Sequence, residues 1–193
     1  MPEDMRARLA RIAELIEDKG LERVGEPHVK HIEGRLWEMR RRAASEFRGA
    51  LYVAAIGQRV VIVRVFVKKT EKTPRREIDL ALSRAKSVDS RGGAMARISS
   101  LHKKWMKEPK YKKAYEALEK EFVLASAVMD VRNRAGLTQV ELARKMGTTQ
   151  PVVARLESGR TRPSMRTLER LAKATGSRLL IRFEPRDAKR TAG

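Results

Sequence analysis

Basic side chains recur at strand spacing in the first half of the chain. Arg40, Arg48, Arg64 and Lys68, with Lys69 and Lys72 just beyond, fall within or beside the runs 35–42, 47–55 and 59–68. Successive side chains of an extended segment point to opposite sides. Arg48 and Tyr52 then oppose Phe47, Leu51 and Val53, while Arg64 and Lys68 oppose Val61, Val63, Val65 and Val67. With Arg40 in matching register, the cations share one shallow face. Such a face suits RNA phosphate, and it suits the extra charge that builds on phosphorus when a 2′-hydroxyl attacks the adjacent phosphate. No carboxylate or histidine base stands among them, so proton transfer would fall to a lysine of lowered pKa or a hydroxyl polarised by arginine. Phosphate binding needs only the charge; cleavage needs that further chemistry. A solvated or salt-bridged sheet face is the alternative use of the same residues.

A second constellation lies in "LTQVELARKMGTTQPVVARLESGRTRPS", Leu137 to Ser164. Leu142 and Met146 face inward from one helix, small Ala143 permits a close crossing, Gly147 makes the turn, and Val153 with Leu156 anchors a second helix. Thr138 followed by Glu141 reads as a capping box, and Thr149 can cap the second helix. This spacing predicts a helix-turn-helix, buried from behind by helices over "VLASAVMDVRNRAG" and "SMRTLERLAKATG".

The elements that must position these groups follow from periodicity and composition. The chain has 193 residues, a length that suits two small domains, and a net charge of +20. Both sides of the Gly92-Gly93 break are basic, which favours a polyanionic partner, nucleic acid before an anionic membrane surface. The longest apolar run, Val60 to Val67, is interrupted by Arg64 and has the length of a strand, not of a membrane span. There is no cysteine, and the histidines are scattered at 28, 31 and 102, so no metal site, cofactor or thiol chemistry is expected. A charged start without a leader pattern predicts a cytoplasmic address.

Apolar steps of three and four from Glu3 to Asp18 predict a helix closed by Gly20; three antiparallel strands and a helix opening at Thr73 follow. The fold class expected is α+β: a small antiparallel sheet with flanking helices, then an all-α domain ending in a short strand over Arg178–Phe183. The expected domains are 1–87, a linker 88–97, a helical segment 98–121, the helix-turn-helix domain 122–185 and a basic tail 186–193. In the helical segment, Leu101, Trp105, Tyr111 and Tyr115 form an apolar series that could dock on the first half or pack on the helix-turn-helix core.

Both halves resemble known families. "VKHIEGRLWEMR", "EFRGALYV" and "FVKKTEKTPRREIDLALSR" resemble the phage-derived, HigB-like branch of the RelE superfamily of toxins. That resemblance implies a ribosome-dependent mRNA endonuclease whose candidate catalytic residues are Arg40, Arg48, Lys68 and Lys69, with Lys30, Arg64 and Lys72 as RNA contacts. The family opens with a strand, whereas this chain starts within the first helix, which leaves a sheet edge for another segment to cover. The second half resembles Cro/C1-type (Xre) regulators and HigA-like antitoxins through Thr138-Gln139, "TTQPVVARLESG" and "RLLIRFEP". By that resemblance Gln139 and Thr149 meet phosphates, while Gln150, Pro151, Val152 and Arg155 face bases. Arg160, Arg162 and Arg166 then anchor the DNA backbone. Tyr111 and its apolar neighbours become the toxin contact, and Met95 stands where a separate antitoxin would begin. The joint expectation is a toxin–antitoxin fusion that binds its own operator as a homodimer and holds the endonuclease silent. A regulator with a non-catalytic first half is the alternative.

Overall fold

The computed structural model describes residues 1–42, 47–55, 59–68, 73–90 and 98–183, with the backbone alone for 40–42, 47–55, 59, 67–68 and 87–90. Helix α1 spans Glu3–Lys19, and its buried residues lie on more than one side: Met5, Ala7, Leu9, Ala10, Ile12, Ala13, Leu15 and Ile16. A helix with so wide an apolar surface must be covered from two directions. Gly20 ends it at φ 83, with its N–H donating to the Ile16 carbonyl, and the short α2 (Leu21–Val24) follows.

Strands β1 (Val29–Glu33), β2 (Leu36–Arg42), β3 (Phe47–Ala55) and β4 (Arg59–Lys68) pair antiparallel in the order β1-β2-β3-β4. Three of these were expected at nearly these bounds. The fourth, β1, lies in a stretch for which the sequence predicts no strand, because Pro27 and Gly34 flank only five strand residues. Helix α3 (Arg75–Ser90) covers one side of the sheet, where Leu36, Val61, Val63 and Phe66 bury against Ala81 and its neighbours Ile78, Leu82 and Ala85. The opposite side, with Val29, Met39 and Val60, packs on α1.

The second half is helical: α4 (Ile98–Trp105), α5 (Pro109–Ala117), α6 (Glu119–Arg134), α7 (Gln139–Lys145), α8 (Gln150–Glu157) and α9 (Met165–Ala174). Leu142, Ala143, Met146, Val153, Leu156 and Leu171 form its own core with Val128. Its other core is shared. Ile98, Phe122, Ala125 and Met129 bury in the same cluster as α1 and the sheet. Helix α1 is therefore the middle layer between the sheet and α4–α6, and burial of each large side chain there contributes about 1.5–3 kcal/mol.

The expected terminal strand is not formed. Residues 177–183 carry no strand, and Leu180 and Phe183 are 78% and 94% exposed. A strand needs an edge to pair with, and among the described residues none pairs with this segment. The linker and tail expected at 88–97 and 186–193 fall largely outside the described residues. Among the described residues no helix is long and apolar enough to cross a membrane, and no cluster of histidine and acidic side chains could hold a metal ion.

Candidate nucleic-acid interface and the basic sheet

The α7–α8 unit is built as its sequence demands. Thr138 and Glu141 form the expected capping box: the Glu141 N–H donates to Thr138 Oγ1 at 3.2 Å, and the Thr138 N–H donates to Glu141 Oε2 at 2.7 Å. The backbone bond from Thr138 holds the Glu141 carboxyl below its usual range. Gly147 turns the chain at φ 59. Thr149 is extended at the α8 N-cap but makes no side-chain capping bond, contrary to expectation; Pro151 in the first turn has no N–H to satisfy, which removes one of the donors a cap would serve. Buried Val153 and Leu156 point α8 so that Thr149, Pro151, Val152 and Arg155 are exposed together, with Gln150 half-buried beside them. Arg160, Arg162 and Arg166 are exposed beyond the C-terminal end of α8, and Arg160 is held by Glu121 at 3.3 Å.

Behind the reading face lies a polar network that sequence periodicity did not reveal. Glu157, fully buried, faces Arg132, whose Nε and Nη2 donate to its carboxylate at 2.5 and 3.2 Å. Arg132 also donates to the carbonyls of Leu137 and Arg23, both at close range (3.0 and 2.9 Å). Gln139 Nε2 donates to Glu157 Oε2 and to the Glu26 carbonyl, each at 2.7 Å, and Gln150 Nε2 donates to Gln139 Oε1 at 2.7 Å. His28 packs beside Phe122, and its Nε2 donates to the Glu157 carbonyl at 2.8 Å. Arg23, Glu26 and His28 belong to the first half, so the network crosses from one half to the other.

Burial pushes the His28 imidazole from 6.5 down to about 4, against the opposing pull of the Glu157 carbonyl. The unfolded chain takes up a proton between these values while the folded chain does not, so the contribution is complete above pH 6.5 and is lost as pH falls toward 4. The expected loss is about 3 kcal/mol over that window. Urea midpoints of the wild type and His28→Gln across pH 4–7 measure it; an equal slope in both would refute it.

The seam is lined by charge as well. Arg6 makes a two-pronged pair with Glu108, Arg8 another with Glu121, and Lys19 bonds Asp130 at 2.5 Å. Of the apolar series expected to dock, Tyr111 is wholly buried, the Arg6 guanidinium lies over the Trp105 ring, and Arg11 lies 3.7 Å over Tyr115, whose hydroxyl donates to Glu14. Leu101 is half-buried. The choice left open by sequence is resolved: this segment packs on α1.

On the sheet, register divides the cations differently from expectation. Arg40 pairs with Gly49, Gly49 with Phe66, and Leu51 with Arg64, which puts Arg40, Arg64 and Lys68 on the α3 side. Arg48 pairs with Arg41 and Val67, on the α1 side. The single face expected for Arg40, Arg48, Arg64 and Lys68 is therefore split. An irregularity between Leu51 and Tyr52 shifts the alternation of β4, so that Val61 and Val63 face α3 while Val60 and Ile62 face α1. Arg64 Nε donates to Glu77 Oε2 of α3 at 2.6 Å. Lys30 is exposed on β1, in register with Glu38. Side chains of Arg40, Arg48 and Lys68, and Lys69 and Lys72 altogether, lie outside the described residues. A carboxylate does stand on the α3 face: Glu38 is fully buried and accepts a hydrogen bond from the Thr73 hydroxyl at 3.0 Å. Its place in "LWEMR" was legible, but its burial was not.

A meander sheet flanked by helices, sharing a core with a helix-turn-helix unit, defines the class of the chain. Residues 1–86 match the family of phage derived protein Gp49-like, and residues 128–180 match the helix-turn-helix family. The chain belongs to the helix-turn-helix family through its second half and carries a Gp49-like domain as its first. Antitoxin HigA1 of Mycobacterium tuberculosis, from two strains, is 35% identical over 77 residues, which are 40% of this chain and 52% of that protein. An uncharacterized HTH-type transcriptional regulator of Methanothermobacter thermautotrophicus is 38% identical over 53 residues, 28% of this chain and 77% of that protein. The chain thus spans about half the length of the HigA1 relatives it matches. No solved structure matches it.

Proposed function

We propose that the chain is a toxin–antitoxin fusion. A HigA-like half binds operator DNA through α7–α8, and the same half holds a HigB-like mRNA endonuclease inactive. The observation that carries this reading is the shared core, in which α4, α5 and α6 bury α1 of the Gp49-like domain beside a helix-turn-helix. Thr149, Gln150, Pro151, Val152 and Arg155 are the base- and phosphate-facing set, with Arg160, Arg162 and Arg166 along the DNA backbone. Arg40, Arg48, Lys68 and Lys69 are the catalytic candidates, with Lys30, Arg64 and Lys72 as RNA contacts on a ribosome-bound message. Domain limits at 87, 97, 121 and 185, a cytoplasmic address and a homodimer on a two-fold operator complete the reading. The exposed Leu180, Ile181 and Phe183 supply an apolar segment for the dimer mate to cover.

Expression of residues 1–94 tests it. The fragment should arrest growth and cleave mRNA, Arg48→Ala should be harmless, and residues 95–193 supplied in trans should restore growth. A soluble but harmless fragment would sink the endonuclease reading. It would leave a regulator whose first half is non-catalytic, a reading favoured by the closed Arg64–Glu77 pair, which occupies one of the RNA-facing cations.

A further inference from the structure

Gln139 is expected from sequence to give a hydrogen to a DNA phosphate. Its amide has none left to give. A primary amide nitrogen carries two hydrogens, and here they go to the Glu157 carboxylate and the Glu26 carbonyl. Both of those partners are acceptors only, which fixes the orientation: nitrogen toward them, oxygen toward Gln150. Gln150 Nε2 donates one hydrogen to that oxygen. Its second N–H and its own Oε1 remain, side by side on a half-buried residue at the start of α8. One donor beside one acceptor matches N7 and N6 of adenine in the major groove.

The Glu26 carbonyl comes from the loop between α2 and β1, and that loop is fastened on both sides of it. Arg132 Nη2 takes the Arg23 carbonyl, and His28 Nε2 donates to the carbonyl of Glu157. Within the loop, the Val29 N–H donates to the Gly25 carbonyl at 3.1 Å. These anchors to the second half converge on the Arg132–Glu157 pair behind the reading helix.

We propose that the first half takes part in base readout. The Glu26 carbonyl takes the hydrogen that Gln139 would otherwise give to a phosphate oxygen, and it holds that amide so that Gln150 presents a fixed donor and acceptor to adenine. Gln139 and His28 are then positioning residues for base recognition, acting through Gln150. This rests on the reading of α7–α8 as a DNA-binding motif and extends it to a part of the chain outside that motif.

The test uses the full chain and duplexes recovered by in vitro selection from a random library. The position read by Gln150 is the one whose preference disappears in Gln150→Ala. At that position the wild type should prefer A·T over G·C by about tenfold or more. Gln139→Ala and His28→Asn should each reduce that ratio several-fold at that position alone. His28→Gln, whose amide nitrogen reaches as far as Nε2 of the imidazole, should restore it. A wild-type ratio in both Gln139→Ala and His28→Asn would overturn the proposal. So would a uniform loss over all duplexes in Gln139→Ala, the signature of a phosphate contact. Gln139 is half-exposed, so its variant carries the test even if His28→Asn fails to fold. Recovery of no preferred duplex would instead remove the DNA-reading assignment itself, and the proposal with it.

Discussion

Gly159→Ala is expected to destabilise the full chain by about 3–5 kcal/mol, at the upper end of what single substitutions do. Two costs combine. Gly159 has φ +70, a left-handed conformation that an L side chain adopts at a cost of about 1–3 kcal/mol. A Cβ there would also stand 1.9 Å from the Glu121 carbonyl oxygen and 2.7 Å from its carbon, so backbone must move. Movement would pull the end of α8 from the start of α6, where Arg8 and Arg160 share the Glu121 carboxylate. Gly136→Ala is the control: its φ is +66, but a Cβ would meet nothing within 4 Å, so only the conformational cost of about 1–2 kcal/mol applies. Denaturant midpoints of the two variants measure the difference, and equal losses would show that the close approach to Glu121 carries no weight.

Removing Arg132 should cost a similar amount, about 3–5 kcal/mol, because the Glu157 carboxylate would be left in the interior without its counter-charge. Arg132→Met keeps the volume and isolates the charge. Glu157→Gln leaves the guanidinium with its carbonyl partners and should cost less. Leu137 and Arg23 would still lose their donor in any Arg132 variant, so the double variant will not return to wild type. It should nevertheless lose less than the sum of the singles, with a coupling of about 1–3 kcal/mol. Additive losses in a double-mutant cycle would mean that the pair contributes nothing as a pair. Both predictions concern the same seam, because the Glu121 carboxylate binds Arg8 and the Arg132 guanidinium binds the Arg23 carbonyl, each a contact with the other half. Loss of either should therefore disturb the docking of the Gp49-like domain as well as the helix-turn-helix.

Much of the architecture was legible because it is written in local spacing. The capping box at Thr138 and Glu141, the turn at Gly147 and the inward Leu142, Val153 and Leu156 all act within a few residues. Strands β3 and β4 kept their expected bounds for the same reason. The five-residue β1 escaped because its length gives alternation little room and turn residues flank it on both sides. The basic face was misdrawn because alternation fixes sides only within one strand: β2 pairs with β3 so that Arg40 lies opposite Gly49 and not Arg48, and a one-residue difference in register puts the two arginines on opposite sides.

By itself the sequence determined the two-part organisation, the helix-turn-helix and the basic sheet, since periodicity records which side of an element avoids water. It could not record what covers that side. Tertiary structure decided that α1 is buried by both halves, that Arg48 parts from Arg40 and Arg64, and that Glu38 is buried. It also decided that Gln139 bonds a carbonyl 113 residues away in sequence. Residues 177–183 mark the same boundary: the pattern of a strand is present, but a strand requires a neighbouring edge, and hydrogen bonding between segments is a property of their arrangement in space.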